Sequence, residues 1–378
     1  MKAVLLAPEF AASDGGIQRI LRLYLEALAS DPNHDRLELV ALNDPQDQLI
    51  RHPAAAARQI LGKPLTVTGC GRSKTAFTRA AWLAGAGARR VVCGHIGQLP
   101  VAALTSRPGC ALALVAHGIE VWEKPSVLHR LALRRVGRVF CVSRYTRDRL
   151  AGLHPRLIPR LRVVPNALDP ALLATPAPLP PPPGGPPVVL CVGRLSAADN
   201  YKGYDHLLRA FALLPPSGLH AQTGFAPRLR FVGDGDDLPR LHALATTLRI
   251  ADRVEFSGRL PDAALRQAFA DCTCFALPST GEGFGLVYLE ALAAGRPCVG
   301  VAAAAVPSGT FSCATTNARF PATTSATSCV RASPDGPRSI TPTAQASRTR
   351  SANSNTISSI SATTASSSTP PLCLKPSM

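Results

Sequence analysis

Two cations and two carboxylates are spaced along the chain as a polar, charged ligand would require. Arg194 closes an apolar run in "CVGRLSAADNYKGYDHLLRAF", and Lys202 follows in the loop before the next helix. A guanidinium offers a planar fork and an ammonium a point charge, so the two can grip a diphosphate from different sides. Two solvated surface charges would look the same in sequence. The second pair lies in "GEGFGLVYLEALAAGRP", residues 281–297, where Glu282 stands among glycines and Glu290 follows in an apolar helical run. Backbone N–H groups of Gly283, Phe284 and Gly285 at the start of that helix suit a phosphate. Glu290 is about two turns along, which predicts that it faces the same side as Glu282. A carboxylate there accepts from a pair of sugar hydroxyls. The plainer alternative is one solvated glutamate near a helix start and one on its surface.

Two stretches in the first half add to these. "SDGGIQRILRLYLEAL" places Gly15 and Gly16 between a strand and an amphipathic helix, where glycine lets a ligand approach the backbone. A simple turn reads identically. In "AHGIEVW", His117 follows an apolar strand and is positioned to face a cleft, or merely to pack or cap. "FVGDG" (231–235) and "EFSGRLP" (255–261), the latter ending next to Leu260, are further strand ends with turn chemistry.

The elements that must hold these residues are short apolar runs separated by helix-length segments. The runs are 3–7, 37–42, 90–95, 112–118, 138–143 and 161–166 in the first half. In the second half they are 188–194, 228–235, 253–259, 272–278 and 296–301. Continuous rather than alternating hydrophobicity predicts parallel strands buried on both faces, and the spacing predicts βαβ units. Between the two series stands "TPAPLPPPPGGPP", residues 175–187, too rich in proline for helix or central strand. The expectation is an α/β protein of two Rossmann-like domains facing across a cleft: 1–174, a stiff linker 175–187, and 188–301. Open sheets of this kind bind ligands beyond the carboxyl ends of their strands.

From residue 302 to 378 the chain turns Ser/Thr/Ala-rich, nearly acid-free and without period. One reading is a disordered basic tail. The other is a frameshifted translation that truncates the second domain. With codons ending in G or C, "ATTNARFPATT" (314–324) read one frame over becomes roughly Asp-Asp-Glu-Arg-Ala-Val-Pro-Gly-Asp-Asp, an ordinary acidic loop.

Bulk properties narrow the classes. A chain of 378 residues exceeds one ordinary core. Its formal charge is +17, which favours an anionic partner: nucleic acid, an anionic membrane surface or a phosphorylated substrate. Aromatics make up only 5%, few stacking platforms for nucleic acid, and no nucleic-acid-binding motif is present. GC-rich coding would also inflate arginine. The 11 cysteines are scattered within apolar runs, and the nearest pair, Cys272 and Cys274, has no matching second pair. They read as small hydrophobes rather than a zinc or disulfide framework, which fits a reducing cytoplasm. "MKAVLLAPEF" is too short for a signal-peptide core and reads as a first strand, and no run reaches the length of a membrane span. Arg130, Arg134, Arg135 and Arg138 offer either peripheral contact with anionic lipid at the inner face of the cytoplasmic membrane or a solvated helix face.

Taken in order, "GGIQR", "HGIEVW", "VVPNALD", "CVGRL…YKG", "FVGDG" and "GEGFGLVYLEALAAGRP" resemble the retaining glycosyltransferases of family 4, with the GT-B fold, over about residues 1–301. The resemblance implies a nucleotide-diphosphate-sugar donor held mainly by the second domain and a glycan or lipid-linked acceptor held mainly by the first. It assigns the diphosphate to Arg194 and Lys202 and the ribose to Glu290. It assigns the transferred sugar to Glu282, and it has the N–H groups of Gly283, Phe284 and Gly285 help hold sugar or phosphate. Gly16 would line the cleft by the diphosphate, His117 would sit by the sugar and reacting carbon, and Leu260 near the base. It implies no metal and no cofactor beyond the donor. The departures are the proline-rich linker and the replacement of the usual sequence after "RPCVGV" by the Ser/Thr tail. They leave open a nucleotide-binding remnant without turnover. A nucleotide-sugar epimerase would share the cleft, but its catalytic set is not seen. A nicotinamide enzyme would need Gly-x-Gly-x-x-Gly after the first strand and an acid about twenty residues on, and neither is there.

Overall fold

The computed structural model of the chain describes residues 1–11, 15–56, 59–168, 185–215, 225–301, 303 and 310–311. Most of the linker and nearly all of 302–378, including the frameshift reading, lie outside the described residues.

Two sheets are present. The first contains β1 (Lys2–Ala7), β2 (Arg36–Ala41), β3 (Gln59–Ile60), β4 (Lys63–Gly69), β5 (Ala88–Cys93), β6 (Ala111–Ala116), β7 (Arg138–Cys141) and β8 (Leu161–Val163). Its spatial order is β3-β4-β2-β1-β5-β6-β7-β8, parallel throughout except for the β3–β4 pair. Its helices are α1 (Gly16–Ser30), α2 (Gln46–Arg51), α3 (Pro53–Ala56), α4 (Lys74–Ala84), α5 (Leu99–Thr105), α6 (Val127–Leu133) and α7 (Arg144–Leu153). The second sheet contains β9 (Val188–Val192), β10 (Arg228–Val232), β11 (Val254–Phe256), β12 (Cys274–Leu277), β13 (Cys298–Gly300) and β14 (Thr310–Phe311), in the order β11-β10-β9-β12-β13-β14. It is parallel up to β13, with β14 antiparallel at the edge. Its helices are α8 (Tyr204–Ala212), α9 (Leu238–Thr247), α10 (Asp262–Asp271) and α11 (Leu286–Ala293).

β1 shows why these strands lack polar alternation. Val4 and Leu6 enter one core with Phe77, Leu99 and Leu133, while Ala3, Leu5 and Ala7 enter another with Leu21, Leu25 and Leu37. Helices on both faces demand apolar side chains at every position. The second sheet centres on Leu190, Phe231, Phe275 and Leu277, packed by Leu208, Leu241 and Phe269.

Two strand expectations need correction. β4, "KPLTVTG", was not expected, because it starts at Lys-Pro and mixes exposed with buried positions. It lies next to the edge, covered only by the two-residue β3, so alternating polarity is tolerated there. Cys272 lies outside β12: it caps α10, and the strand starts at Cys274.

Each sheet reverses its strand order once. In the first, the chain builds outward from β1 to β2, β4 and β3, then restarts at β5 on the other side of β1. In the second, it builds from β9 to β10 and β11, then restarts at β12 on the other side of β9. At such a switch point the neighbouring loops diverge and leave a crevice at the carboxyl ends. In the first sheet the loops beyond β1 and β5 carry Gly16 and Gly94. In the second, the loops beyond β9 and β12 carry Arg194, Lys202 and Glu282.

Candidate functional site

The loop after β9 is shaped around its charges. Arg194 donates from Nε to Asp199 Oδ2 at 2.6 Å and from Nη2 to Oδ1 at 3.0 Å. Tyr201 Oη donates to the same carboxylate at 3.2 Å, and Tyr204 Oη donates to the Arg194 carbonyl at 2.9 Å. Burial opposes the charge on Asp199, but the guanidinium outweighs it and holds the carboxyl below the usual aspartate range. Arg194 is thus oriented by a buried acid while 70% of its side chain faces solvent. Lys202 ends the six-residue segment 197–202, which is kinked at Asp199. Gly203 reverses the chain at φ +74° directly against the Pro278 carbonyl, where a Cβ has no room.

The loop after β12 comes back toward Lys202. Gly281 lies flat against the Tyr201 ring, and Lys202 Nζ meets Glu282 Oε1 at 2.8 Å. α11 begins only at Leu286, opened by Gly285 at φ +82°. The expectation that Glu282 and Glu290 share a face is therefore corrected: Glu282 precedes the helix by four residues, so helical spacing does not apply to it. The two carboxylates take different cations. Glu282 pairs with Lys202, whereas Glu290 Oε1 accepts from Arg19 Nη1 at 2.8 Å. Burial raises the Glu290 carboxyl above its ordinary value, and Arg19 opposes that rise.

Arg19 belongs to the first sheet's side of the molecule. It lies on α1, one turn after Gly16, and its Nη2 also donates to Asp262 Oδ1 at 2.7 Å at the start of α10. Gly16 sits beside Leu286 at the start of α11, where a Cβ would come within 3.2 Å of Leu286 Cδ1.

His117 follows β6. Its ring Nε2 lies 2.7 Å from the Gly94 carbonyl, an oxygen that can only accept, so Nε2 carries the proton. Its backbone N–H donates to Glu120 Oε1 at 2.6 Å, joined by the Gly118 N–H at 3.1 Å. Burial lowers the His117 pKa, which the Glu120 charge only partly offsets, so the ring is neutral at pH 7 with Nδ1 unprotonated. Gly118, at φ +152°, and Gly283 meet backbone to backbone, and a Cβ on Gly283 would collide with the His117 carbonyl. The loops from the two sheets therefore touch, with glycine on both sides because nothing larger fits.

Of the expected site residues, His117, Gly16, Lys202, Glu282, Gly283 and Gly285 sit on loops or helix starts at this junction, and Glu290 sits within α11. Arg194 stands on the same loop as Lys202, but each of these cations is held by its own carboxylate. Phe284 is half-buried in the glycine loop. Leu260 packs partly buried against the second core, two residues before Asp262. Arg19, Asp199, Tyr201, Glu120 and Asp262 were not singled out from sequence. Arg19 had a signal: it stands three residues after Gly16, within one turn of the helix start. A cavity of about 500 Å³ lined by Lys74, Arg79, Trp82 and Leu104 lies between α4 and α5 and shares no residue with this junction.

The architecture is that of the GT-B glycosyltransferases. Residues 186–321, about a third of the chain, match the family model of the glycosyl transferases group 1. A GDP-mannose-dependent alpha-(1-6)-phosphatidylinositol monomannoside mannosyltransferase of Mycolicibacterium smegmatis is 34% identical over 203 residues, 48% of this chain and 50% of that protein. A D-inositol 3-phosphate glycosyltransferase of Stackebrandtia nassauensis is 40% identical over 126 residues, 32% of this chain and 28% of that protein. The chain thus spans half or less of the length of these relatives. Among solved structures, Anabaena HepE in complex with UDP and glucose superposes with a TM-score of 0.60 at 22% identity, over 81% of this chain and 82% of that one. At that identity the likeness is one of fold.

Proposed function

We propose that the protein transfers a sugar from a nucleoside-diphosphate sugar to a glycan or lipid-linked acceptor, with retention of anomeric configuration. The observation that carries this reading is the convergence of Arg194, Lys202 and the Gly281–Gly285 loop on the second sheet's switch point, opposite His117. The names of the relatives, one GDP-mannose-dependent and one a glycosyltransferase of an inositol phosphate, agree with it.

The chemistry follows from charge. As the glycosidic bond to phosphate breaks, negative charge grows on the leaving diphosphate, and stabilising it is the main electrostatic task. Arg194, pre-oriented by Asp199, and Lys202 supply the opposing positive charge together with the N–H groups around Gly283. Glu290 holds the ribose hydroxyls and Glu282 the transferred sugar. Neutral His117 keeps a ring nitrogen free of its proton at the sugar side. The leaving phosphate takes the acceptor's proton on the same face, which preserves configuration. Contact between the Gly118 and Gly283 loops excludes water from the reacting carbon.

The acceptor side carries the membrane reading. On α6, Leu128 is 67% and Leu131 49% exposed, beside Arg130 and Arg134. An exposed apolar ridge next to cations suits an anionic lipid surface and supports the reading of peripheral contact with the inner face of the cytoplasmic membrane. Among the described residues no helix is long and apolar enough to cross one.

A thermal-shift panel of UDP-, GDP- and ADP-sugars tests the donor reading. One nucleotide should raise the melting temperature; a flat response to all three would remove the donor site. Co-sedimentation with anionic vesicles at low and high salt tests the surface, and no binding at low salt ends that part.

A further inference from the structure

The groove between α4 and α5 has the composition of neither a core nor a solvated surface. On α4, Phe77, Ala81 and Ala84 turn into the core, which leaves Lys74, Thr78 and Trp82, one turn apart, along the outer face. Leu104 of α5 joins them in lining a cavity of about 500 Å³. Trp82 is 50% and Leu104 56% exposed, large apolar groups clustered where water alone would favour polar ones. The Arg107 guanidinium lies over the Trp82 ring, 5.0 Å from its centre, and Lys74 and Arg79 border the groove from α4. Among the described residues none of these three cations has a carboxylate partner, unlike Arg19, Arg194 and Lys202. The reason lies in the sequence: the chain holds 24 aspartates and glutamates, yet the interval 48–119 holds none. GC-rich coding would raise arginine without removing acids. α5 packs against α4 and against α6, so the groove and the exposed ridge of Leu128 and Leu131 belong to one layer.

We propose that the α4–α5 groove is the principal docking site for an anionic bilayer, with Trp82 and Leu104 entering the interface and Lys74, Arg79 and Arg107 at the lipid phosphates. The proposal deepens the membrane reading above and rests on it, moving the anchor from α6 to α4 and α5. An apolar floor with a cationic rim matches the two levels of a leaflet, acyl chains beneath phosphates. Tryptophan settles at that boundary because its ring is apolar and its indole N–H polar. Anionic headgroups supply the charge that no carboxylate in 48–119 offers.

Tryptophan fluorescence of the full chain tests this, because Trp82 and Trp122 are its two tryptophans and Trp122 is half-buried against Tyr145, 5.1 Å between ring centres. In Trp122→Phe, vesicles of mixed phosphatidylglycerol and phosphatidylcholine should shift the Trp82 emission to the blue, and brominated acyl chains should quench it. Where Trp122→Phe fails to fold, the same shift in the wild type and its loss in Trp82→Phe decide the matter. Lys74→Gln and Arg79→Gln should each weaken co-sedimentation at low salt about fivefold. Leu128→Ser with Leu131→Ser should weaken it less than the two charge changes combined. Co-sedimentation with unchanged Trp82 emission overturns the groove and leaves the α6 ridge as the anchor. Equal binding to pure phosphatidylcholine overturns it too, since the cations then play no part. A concentration-dependent dimer that Trp82→Ala dissolves would give the groove to a second copy and overturn the lipid assignment. No binding to any vesicle ends the membrane reading and this proposal together.

Discussion

The proposed donor site turns on the pair Lys202 and Glu282, and their geometry allows its worth to be bounded. The ammonium and carboxylate are 2.8 Å apart, with side chains 16% and 14% exposed. At an effective dielectric of about 20, that separation corresponds to roughly 6 kcal/mol of attraction. Desolvating two nearly buried ends offsets most of it. A coupling of about 1–2 kcal/mol remains. Removing one partner costs more than the coupling, because the survivor is left as a nearly buried charge without its mate. Glu282→Ala and Lys202→Ala should each destabilise the protein by about 1–3 kcal/mol, lowering the melting temperature by about 3–9 °C. The double variant should lose less than the sum, by the coupling energy. Four proteins melted side by side complete the cycle. If the single effects add to within about 0.5 kcal/mol, the pair is not energetically linked and the reasoning fails.

Nucleotide binding gives the same cycle a second axis. In Glu282→Ala, Lys202 no longer has a carboxylate to satisfy, so affinity for UDP or GDP should hold or rise while sugar transfer falls. Lys202→Ala removes the diphosphate's partner, so affinity should fall about tenfold or more. A loss of nucleotide affinity in Glu282→Ala equal to that in Lys202→Ala would show that Glu282 contacts the nucleotide directly.

Three further predictions follow from the same junction. Glu290→Ala should weaken nucleotide binding about tenfold, since a buried diol loses its acceptor; unchanged affinity removes Glu290 from the site. Gly283→Ala places a methyl group against the His117 carbonyl, so the loops must part, and transfer should fall at least about tenfold with the fold intact; full activity would refute the contact. The buried His117 ring protonates in the unfolded chain near pH 6.5 but resists protonation when folded. The unfolded state therefore binds more protons below that value, so this contribution is complete above about pH 6.5 and is lost as pH falls below it. The drop in melting temperature from pH 7.5 to 5.5 should shrink in His117→Asn, and an identical drop in both proteins would clear His117 of the effect. His95 and His154, whose pKa values burial also lowers, act in the same direction.

The two sheets were legible because burial on both faces imposes a composition, and β1 or β9 can be read from that alone. β4 was not, since an edge position relaxes the same constraint. The glycines were legible for a related reason: Gly283 and Gly285 answer local demands, close backbone approach and a left-handed turn, and both demands leave a mark at the position itself. The charges behaved differently. A cation's type and its place after a strand can be seen in one line of sequence, but its partner cannot. Arg194 with Asp199 spans five residues, Lys202 with Glu282 spans eighty, and Arg19 with Glu290 spans 271. Only the shortest lies within a single loop. The sequence therefore shows four charged residues suited to a ligand, whereas the fold shows three ion pairs in which protein groups already stand on those residues. Charged groups that satisfy one another in this way avoid the cost of burying bare charges. The same economy means that binding of the proposed nucleotide-sugar donor would be an exchange of partners, in which Arg19, Asp199 and Lys202 give up the carboxylates and the cation they now hold.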